Sequence, residues 1–405
     1  MTTPAPPAAD ATSTRIPRTV WILGFVSLLM DVSSEMIQTL LPLYLVSGLG
    51  VSAVVVGLIE GLSVAIAMGT KMFAGVLSDR IGNRKHLVVL GYGLGAMSKP
   101  FFPLADSAIT IMGAKFIDRV GKGIRGAPRD ALIADVTPPH LRGRSFGLRK
   151  SLDTVGGFVG PLMAIGLMLV TGDHFQTVFW VATIPAVLAV VLLVVGIREP
   201  EAPPAASKKK AGLRWRDAWR LDTAVWVAIG ISVLVTLARF SEAFLLLRAQ
   251  GVGFSLAWIP LILVFMHLIY GGLAYPVGVL ADRVGRIGLL VVSLALLLAA
   301  NLVLAQADDV RTLLVGVGLW GAHMGFSQGL LATLIADTAA PESRGTAFGL
   351  LSLATGVAVL LGNLLAGILW EWQGPAATFH ASAVISVLAM AALGVLTMRQ
   401  RRPRT

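Results

Sequence analysis

Lys115, Asp118, Lys122, Arg125 and Arg129 follow one another at spacings of three, four, three and four within an otherwise apolar stretch. On an α-helix those spacings align all five along one face. Arg119 and Asp130 stand beside that face. In another apolar stretch Asp31 and Glu35 lie one helical turn apart, with Asp31 about 12 residues, or roughly 18 Å, from the start of the helix. Glu60, Lys71, Lys99, Arg239 and Glu242 complete a set of fourteen charges inside apolar segments, eight basic and six acidic. A carboxyl group at such a depth either loads and releases protons or stands in a static ion pair with a lysine or arginine of the charged face.

The surrounding chain says what these charges are embedded in. Of 405 residues 56% are hydrophobic and only 14% charged, and the mean hydropathy is +0.79. A soluble domain carries about 25% charged residues. A membrane-spanning helix takes roughly 20 apolar residues, so a dozen spans with their loops fit the length. On the insertion scale each central charge costs about 2.5–3.5 kcal/mol, so four deep charges facing lipid would cost on the order of 10 kcal/mol. The charged face must therefore look into protein or water. Arg125 and Arg129, nearer the helix end, are candidates for an interfacial position.

Apolar runs bounded by Gly, Pro and charge predict twelve helices, at about 19–47, 53–78, 87–105, 109–134, 145–171, 175–197, 222–248, 256–280, 287–306, 310–335, 345–370 and 376–398. Assigning loops alternately puts about 23 of the 33 Lys and Arg on the side of both termini and leaves Arg248 and Arg311 near the other. By the positive-inside rule both termini are cytoplasmic and the chain is a multi-pass protein of the plasma (inner) membrane. The +11 net charge then reports orientation, and nucleic acid is not expected as a partner. Residues 1–18 read as a disordered tail with no cleaved signal, 19–197 as an N-terminal six-helix half, 198–221 as a cytoplasmic linker, 222–398 as a C-terminal six-helix half and 399–405 as a basic tail. Within the linker, Leu213, Trp215 and Trp219 alternate with Arg214, Arg216 and Arg220, which suits either a short interfacial helix or a solvated basic loop.

The halves repeat. GVLSDRIGNR from Gly75 recurs as GVLADRVGRI from Gly278, so Gly75, Asp79, Arg80 and Gly82 match Gly278, Asp282, Arg283 and Gly285 at an offset of 203. LIAD at 132–135, Arg142-Gly143, Phe146-Gly147 and Gly160 recur at an offset of 202. Two related six-helix halves around a central linker are the architecture of a secondary transporter with its site between them. At the same offset Lys115, Asp118, Arg119, Lys122, Arg125, Arg129 and Asp130 become Val317, Trp320, Gly321, Met324, Ser327, Leu331 and Ala332. The shared architecture does not require those charges, so function is the stronger account of them.

The loop Gly75-x3-Asp79-Arg80-x-Gly82-x-Arg84-Lys85 resembles the signature loop of the major facilitator superfamily, and the resemblance extends from about residue 19 to 398. It implies an all-α integral membrane fold of twelve helices in two pseudo-symmetric halves. Gly75, Asp79, Arg80, Gly82 and Arg84, with Asp282 and Arg283 in the second half, would then form a cytoplasmic gating loop that latches one access state. Gly147-x8-Gly156-x3-Gly160-Pro161 is similar to the fifth-helix motif of proton-driven exporters, with Ala164-Ile165 where that motif closes on Gly-Gly. Arg119 and Gly123 partly match a fourth-helix pattern of the same exporters, with Arg125 in place of its last glycine. The resemblance singles out Arg119. The charges within the apolar segments themselves make Asp31, Glu35 and Asp118, with Arg119, the proton-coupling candidates of an alternating-access cycle, and Lys99, Lys115, Lys122, Arg125, Arg239 and Glu242 the candidates to line a substrate cavity.

The expected activity is therefore proton-coupled export of a small polar, anionic or amphiphilic molecule by a monomer in the lipid bilayer. Import of an anionic metabolite or metal chelate is the alternative, and a non-transporting sensor or scaffold on the same fold is the alternative of another class. No cysteine is present, which excludes disulfides, thiolate metal sites and a cysteine nucleophile. No phosphate-binding Gly-x4-Gly-Lys loop occurs, and no cofactor or metal is expected. Gly325-Phe326-Ser327-Gln328-Gly329 spells a hydrolase elbow, but that chemistry needs a strand-turn-helix and these residues sit in a predicted membrane helix. His267 and His323 read as packed or pore-lining groups, and the chain is not expected to be an enzyme.

Overall fold

The computed structural model describes residues 15–81, 84–197, 221–284, 286–327, 338–339 and 344–401, without the side chains of 75–81, 275, 278–279, 281–284, 286, 344–345 and 395–401. The described residues form helices and connecting turns. In chain order the principal helices are α1 (Arg18–Gln38), α2 (Ala53–Ile81), α3 (Arg84–Ser98), α4 (Ala108–Val136), α5 (Arg142–Thr171), α6 (Phe175–Gly196), α7 (Thr223–Ala238), α8 (Pro260–Val284), α9 (Arg286–Ala305), α10 (Val310–Ser327), α11 (Arg344–Gln373) and α12 (Pro375–Arg401). Most agree with the expected helices to within a few residues. α1 ends at Gln38 and α3 at Ser98, nine and seven residues before the expected ends, and the expected end of the tenth helix lies outside the described residues. The seventh span, Thr223–Gly251, breaks at Arg239 and resumes as a separate helix at Ala243–Gly251.

Local chemistry explains the boundaries. Pro42, which has no N–H to give, follows the end of α1, and the chain continues through Leu41–Leu43 and a wide turn at Tyr44–Gly48 to complete the first span. Ser107 caps α4 by accepting the Thr110 N–H at 3.4 Å. Gly172, at φ 63°, ends α5 in the left-handed conformation that glycine adopts without strain. Nine described helical runs are long and apolar enough to cross a membrane. α4 is not among them, because eight of its 29 residues are charged.

The fold is two six-helix halves. In the first, α1 packs on α5 and α6, and α4 on α2 and α3. In the second, α7 packs on α11 and α12, and α10 on α8 and α9. The halves meet through α2 against α11 and α5 against α8. Gly57 and Gly61 of α2 lie against the backbone of Asn363 and Leu360, and Gly367 of α11 lies against Ala53 and Val54. Helices come this close only where small residues remove the intervening side chains. Farther from the termini the Ala53 N–H donates to Glu371 at 3.1 Å and the Gln250 side chain donates to Ser47 at 2.5 Å. These contacts gather at the end of the molecule away from the termini. A layer of rings in tilted or edge-on contact, Tyr44 with Phe175 and Phe179 in one half and Phe240, Phe244, Trp370 and Phe379 in the other, fills the same end.

Candidate functional site between the halves

α4 carries the charges and its neighbours divide them into groups. Lys115 is buried and paired with Glu60 of α2. Glu60 in turn accepts from the Ser241 hydroxyl at 3.4 Å, in the break of the seventh span, and the Ser241 N–H donates to Asn363 of α11 at 2.6 Å. That chain of contacts runs from one half to the other. One turn along α4, Asp118 accepts from Lys99 at 3.0 Å, and Lys99 also donates to Ser34 of α1 at 3.1 Å. Arg119 lies 3.6 Å from the other Asp118 oxygen, and its Nε has no hydrogen-bond partner. Arg125 is buried with its guanidinium 4.4 Å from the centre of the Tyr92 ring, a cation–π contact.

Nearer the end of α4, Arg129 donates to Asp130, Ser27 and Tyr92. Asp130 also lies 3.9 Å from Arg149 of α5, which donates to Asp153 at 2.7 Å. Arg149 and Asp153 were not among the charges singled out from the sequence. Their signal was present as an i,i+4 acid–base pair inside the predicted span 145–171.

Asp31, Glu35 and Lys122 form a different environment. Neither carboxylate has a cation within pairing distance or a hydrogen-bond donor among the described residues. Both side chains are half-buried, whereas Lys122 is exposed although it sits in the middle of α4. An exposed lysine at that depth requires open space between the helices. Lys122 is the cation that attracts both carboxylates most strongly, and Asp153 is the acid that acts most strongly on Asp31. Glu242 and His267, from the second half, act on Glu35. Arg239 is exposed at the break of the seventh span, with Glu242 half-buried beside it. The space therefore lies between the halves, walled by Asp31, Glu35 and Lys122 on one side and Arg239, Glu242 and His267 on the other. The equivalent region of α10 is apolar or neutral: Trp320 is buried, and His323 is buried against Ser293 at 2.8 Å.

The two motifs divide as well. A Cβ on Gly147 would meet nothing within 4 Å among the described residues, whereas one on Gly156 or Gly160 would press on α1. Pro161 lies within α5. At the start of α3, Arg84 pairs with Asp135 near the end of α4. The backbone of Gly75, Asp79, Arg80, Asp282 and Arg283 is helical, but their side chains lie outside the described residues, as does all of Gly82. Most of the linker 198–221, both chain ends, and Leu331 and Ala332 also lie outside them. Lys71 is exposed on α2. Among the described residues no group of three His, Cys, Asp or Glu is arranged to hold a metal ion.

The profile of the Major Facilitator Superfamily matches residues 23–269 and 239–405. The chain belongs to this superfamily. An uncharacterised MFS-type transporter of Methanocaldococcus jannaschii is 30% identical over 377 residues, covering 92% of this chain and 93% of that one. The multidrug resistance protein MdtH of Photorhabdus laumondii is 33% identical over 171 residues, 42% of each chain. Among solved structures, the nucleoside transporter NupG superposes with a TM-score of 0.76 at 14% identity, covering 94% of this chain and 99% of that one. The protein is thus a multi-pass membrane transporter for small molecules, and the space between the halves lies where such folds hold their substrate.

Proposed function

We propose that this superfamily member is a proton-coupled exporter of a small polar or amphiphilic molecule. Asp31 and Glu35 carry the protons. The observation that carries this reading is that these two acids, alone among those on or facing α4, stand at the wall of the cavity without an ion-pair partner. A carboxylate locked to a cation keeps its charge through the cycle, whereas an unpaired one facing water exchanges its proton as access changes. Asp118 and Arg119, tied to each other and to Lys99, act as an electrostatic link to α3 and not as carriers. Lys122 and Arg239, one from each half, meet the polar groups of the substrate, with Glu242 beside them. Lys115 and Arg125 hold the helices.

Similarity to MdtH over 42% of the chain supports the outward direction. The contacts at the end away from the termini support a state closed on the outer face, with the termini cytoplasmic in the inner membrane. The two halves, 19–197 and 222–398, would rock about the site as a monomer, with 198–221 joining them and the loops at Gly75 and Gly278 latching the cytoplasmic side. Import of an anion is the second reading, favoured by the two exposed cations facing the same space.

The test uses proteoliposomes with pyranine inside and an imposed pH gradient, challenged with ethidium, norfloxacin, phosphate, citrate and a ferric chelate. Exchange expels protons against an entering compound, and co-transport moves both together, so the sign of the pyranine signal separates the readings. Gradient-driven movement is expected to be lost in Asp31→Asn and Glu35→Gln. Full movement in Asp31→Asn refutes its role as a carrier.

A further inference from the structure

We infer that Gly156 and Gly160 are positioning residues for Asp31 and Glu35: the α5 backbone forms the wall against which both carboxyl stems are held, leaving them only the cavity to point into. This inference rests on the reading of those acids as proton carriers and goes beyond it. A Cβ on Gly156 would stand 2.7 Å from the Leu28 carbonyl oxygen and 3.0 Å from the Cβ of Asp31. A Cβ on Gly160 would stand 2.7 Å from the Cβ of Glu35 and 2.8 Å from the Val32 carbonyl oxygen. Non-bonded carbons prefer about 3.5–4.0 Å, so either methyl would push α1 off α5. All four contacts are with backbone or with the first atom of an acid's side chain, which cannot swing aside as the tip of a long side chain can.

The second half supplies an internal comparison. At the offset of 202 Gly156 becomes Ala358, so the fold accepts a Cβ at that place. Gly160 becomes Gly362 and Glu35 becomes Leu237, and there the corresponding approach is ordinary: a Cβ on Gly362 would lie 3.4 Å from the Leu237 carbonyl oxygen and 3.6 Å from its Cα. The seam is tightest in the half whose first helix carries the acids. A Cβ on Gly147, the first glycine of the same motif, would meet nothing within 4 Å among the described residues. Tightness therefore follows the acids and not the motif as a whole.

The consequence is geometric. With no side chain between them, α5 and α1 meet at both acid positions, and the stems of Asp31 and Glu35 stand against α5 on the same wall of the cavity as Lys122. Moving α1 by several tenths of an ångström changes the distance of both carboxyls from Lys122 and the water each one meets. The charged and titratable groups facing the pair are Lys122, Arg125 and Arg129 from α4, Asp153 from α5, and Glu242 and His267 from the second half.

The experiment is an infrared titration of the full-length chain in lipid, following the protonated-carboxyl band with pH, the proton being the probe. Asp31→Asn and Glu35→Gln assign the two components of that band. Gly156→Ala is expected to move the Asp31 component, and Gly160→Ala the Glu35 component, by about half a pH unit or more. The matched control is Gly316→Ala on α10, whose Cβ would stand 2.6 Å from the Cγ of Leu304 on α9, a seam that holds none of the groups acting on the two acids. It is expected to lower thermal stability and leave both components in place.

If neither α5 variant purifies, Gly24→Ala takes their place. It presses only on the Leu152 side chain of the same seam, and a smaller movement of the Asp31 component is expected. Components that titrate as in the wild type in every folded seam variant, or that move equally in Gly316→Ala, overturn the inference. If Asp31→Asn and Glu35→Gln remove no titrating band, it is the assignment of the carriers that fails instead.

Discussion

Replacing Asp118 by asparagine tests whether the charges of α4 are held by one another. Lys99 and Asp118 are 3.0 Å apart with side chains only 2% and 6% exposed. At an effective dielectric constant of about 20, two unit charges at that separation attract by about 5 kcal/mol. Asp118→Asn leaves the Lys99 ammonium in the interior with Ser34 as its remaining partner and removes the counter-charge beside Arg119. Breaking a buried pair in this way costs about 3–5 kcal/mol, because the surviving charge is neither solvated nor compensated. Asp130→Asn, whose side chain is 41% exposed, is the comparison, and a solvent-screened pair is worth about 1 kcal/mol or less.

The assay is reversible chemical unfolding in a fixed lipid–detergent mixture, with Lys99→Met and the double variant completing a cycle. Lys99→Met in the Asp118→Asn background should recover most of the loss, since no unpaired ammonium then remains. A loss in Asp118→Asn within about 1 kcal/mol of that in Asp130→Asn, or a double variant no better than Asp118→Asn alone, would refute the argument that the pair sustains the interior of the first half.

At the closed end, Gly57→Val should hold α2 away from Asn363 of α11. A bifunctional maleimide joining cysteines introduced by Ser47→Cys and Gln250→Cys should then link the halves far less efficiently, a clean measurement because the native chain has no cysteine. Asn363→Ala removes the acceptor of the Ser241 N–H and with it the polar thread to Glu60 and Lys115. The same cross-link should fall, by less than in Gly57→Val. In the loop before α10, hydrogen bonds from the Thr312 hydroxyl and from the Thr312 and Arg311 N–H groups hold the Asp309 carboxyl below its usual range. Because its folded pKa is lowered, Asp309 stabilises the protein above the unfolded value of about 3.9 and loses that contribution as pH falls through the folded value. Thermal melts should therefore rank Asp309→Ala below the wild type at neutral pH and bring the two together near pH 2; a gap that persists at low pH contradicts the role of these hydrogen bonds.

Much of this protein was legible in its residues because the relevant costs are local. A charge in a bilayer is expensive wherever it stands, so the spacing along α4 already required a protein or water environment for Lys115, Asp118 and Lys122. The helices and the repeat at a 202–203 offset were legible for the same reason, since apolar length and turn residues act within a few positions of the chain. The break of the seventh span was not. Arg239 and Glu242 looked like two charges within one helix, and it takes the contact of Ser241 with Asn363, more than a hundred residues away, to hold the chain open there.

What only the tertiary structure decided is which charges cancel. Six acids and eight bases can be paired in many ways, and an ion pair depends on distances of a few ångströms between helices that the linear order does not specify. Packing assigned Glu60 to Lys115 and Asp118 to Lys99, drew in Arg149 and Asp153, and left Asp31 and Glu35 facing an exposed Lys122. It also gave the glycines of α5 their context. Read as a motif they were small residues near a proline, and in three dimensions they are the surface on which the two unpaired acids rest.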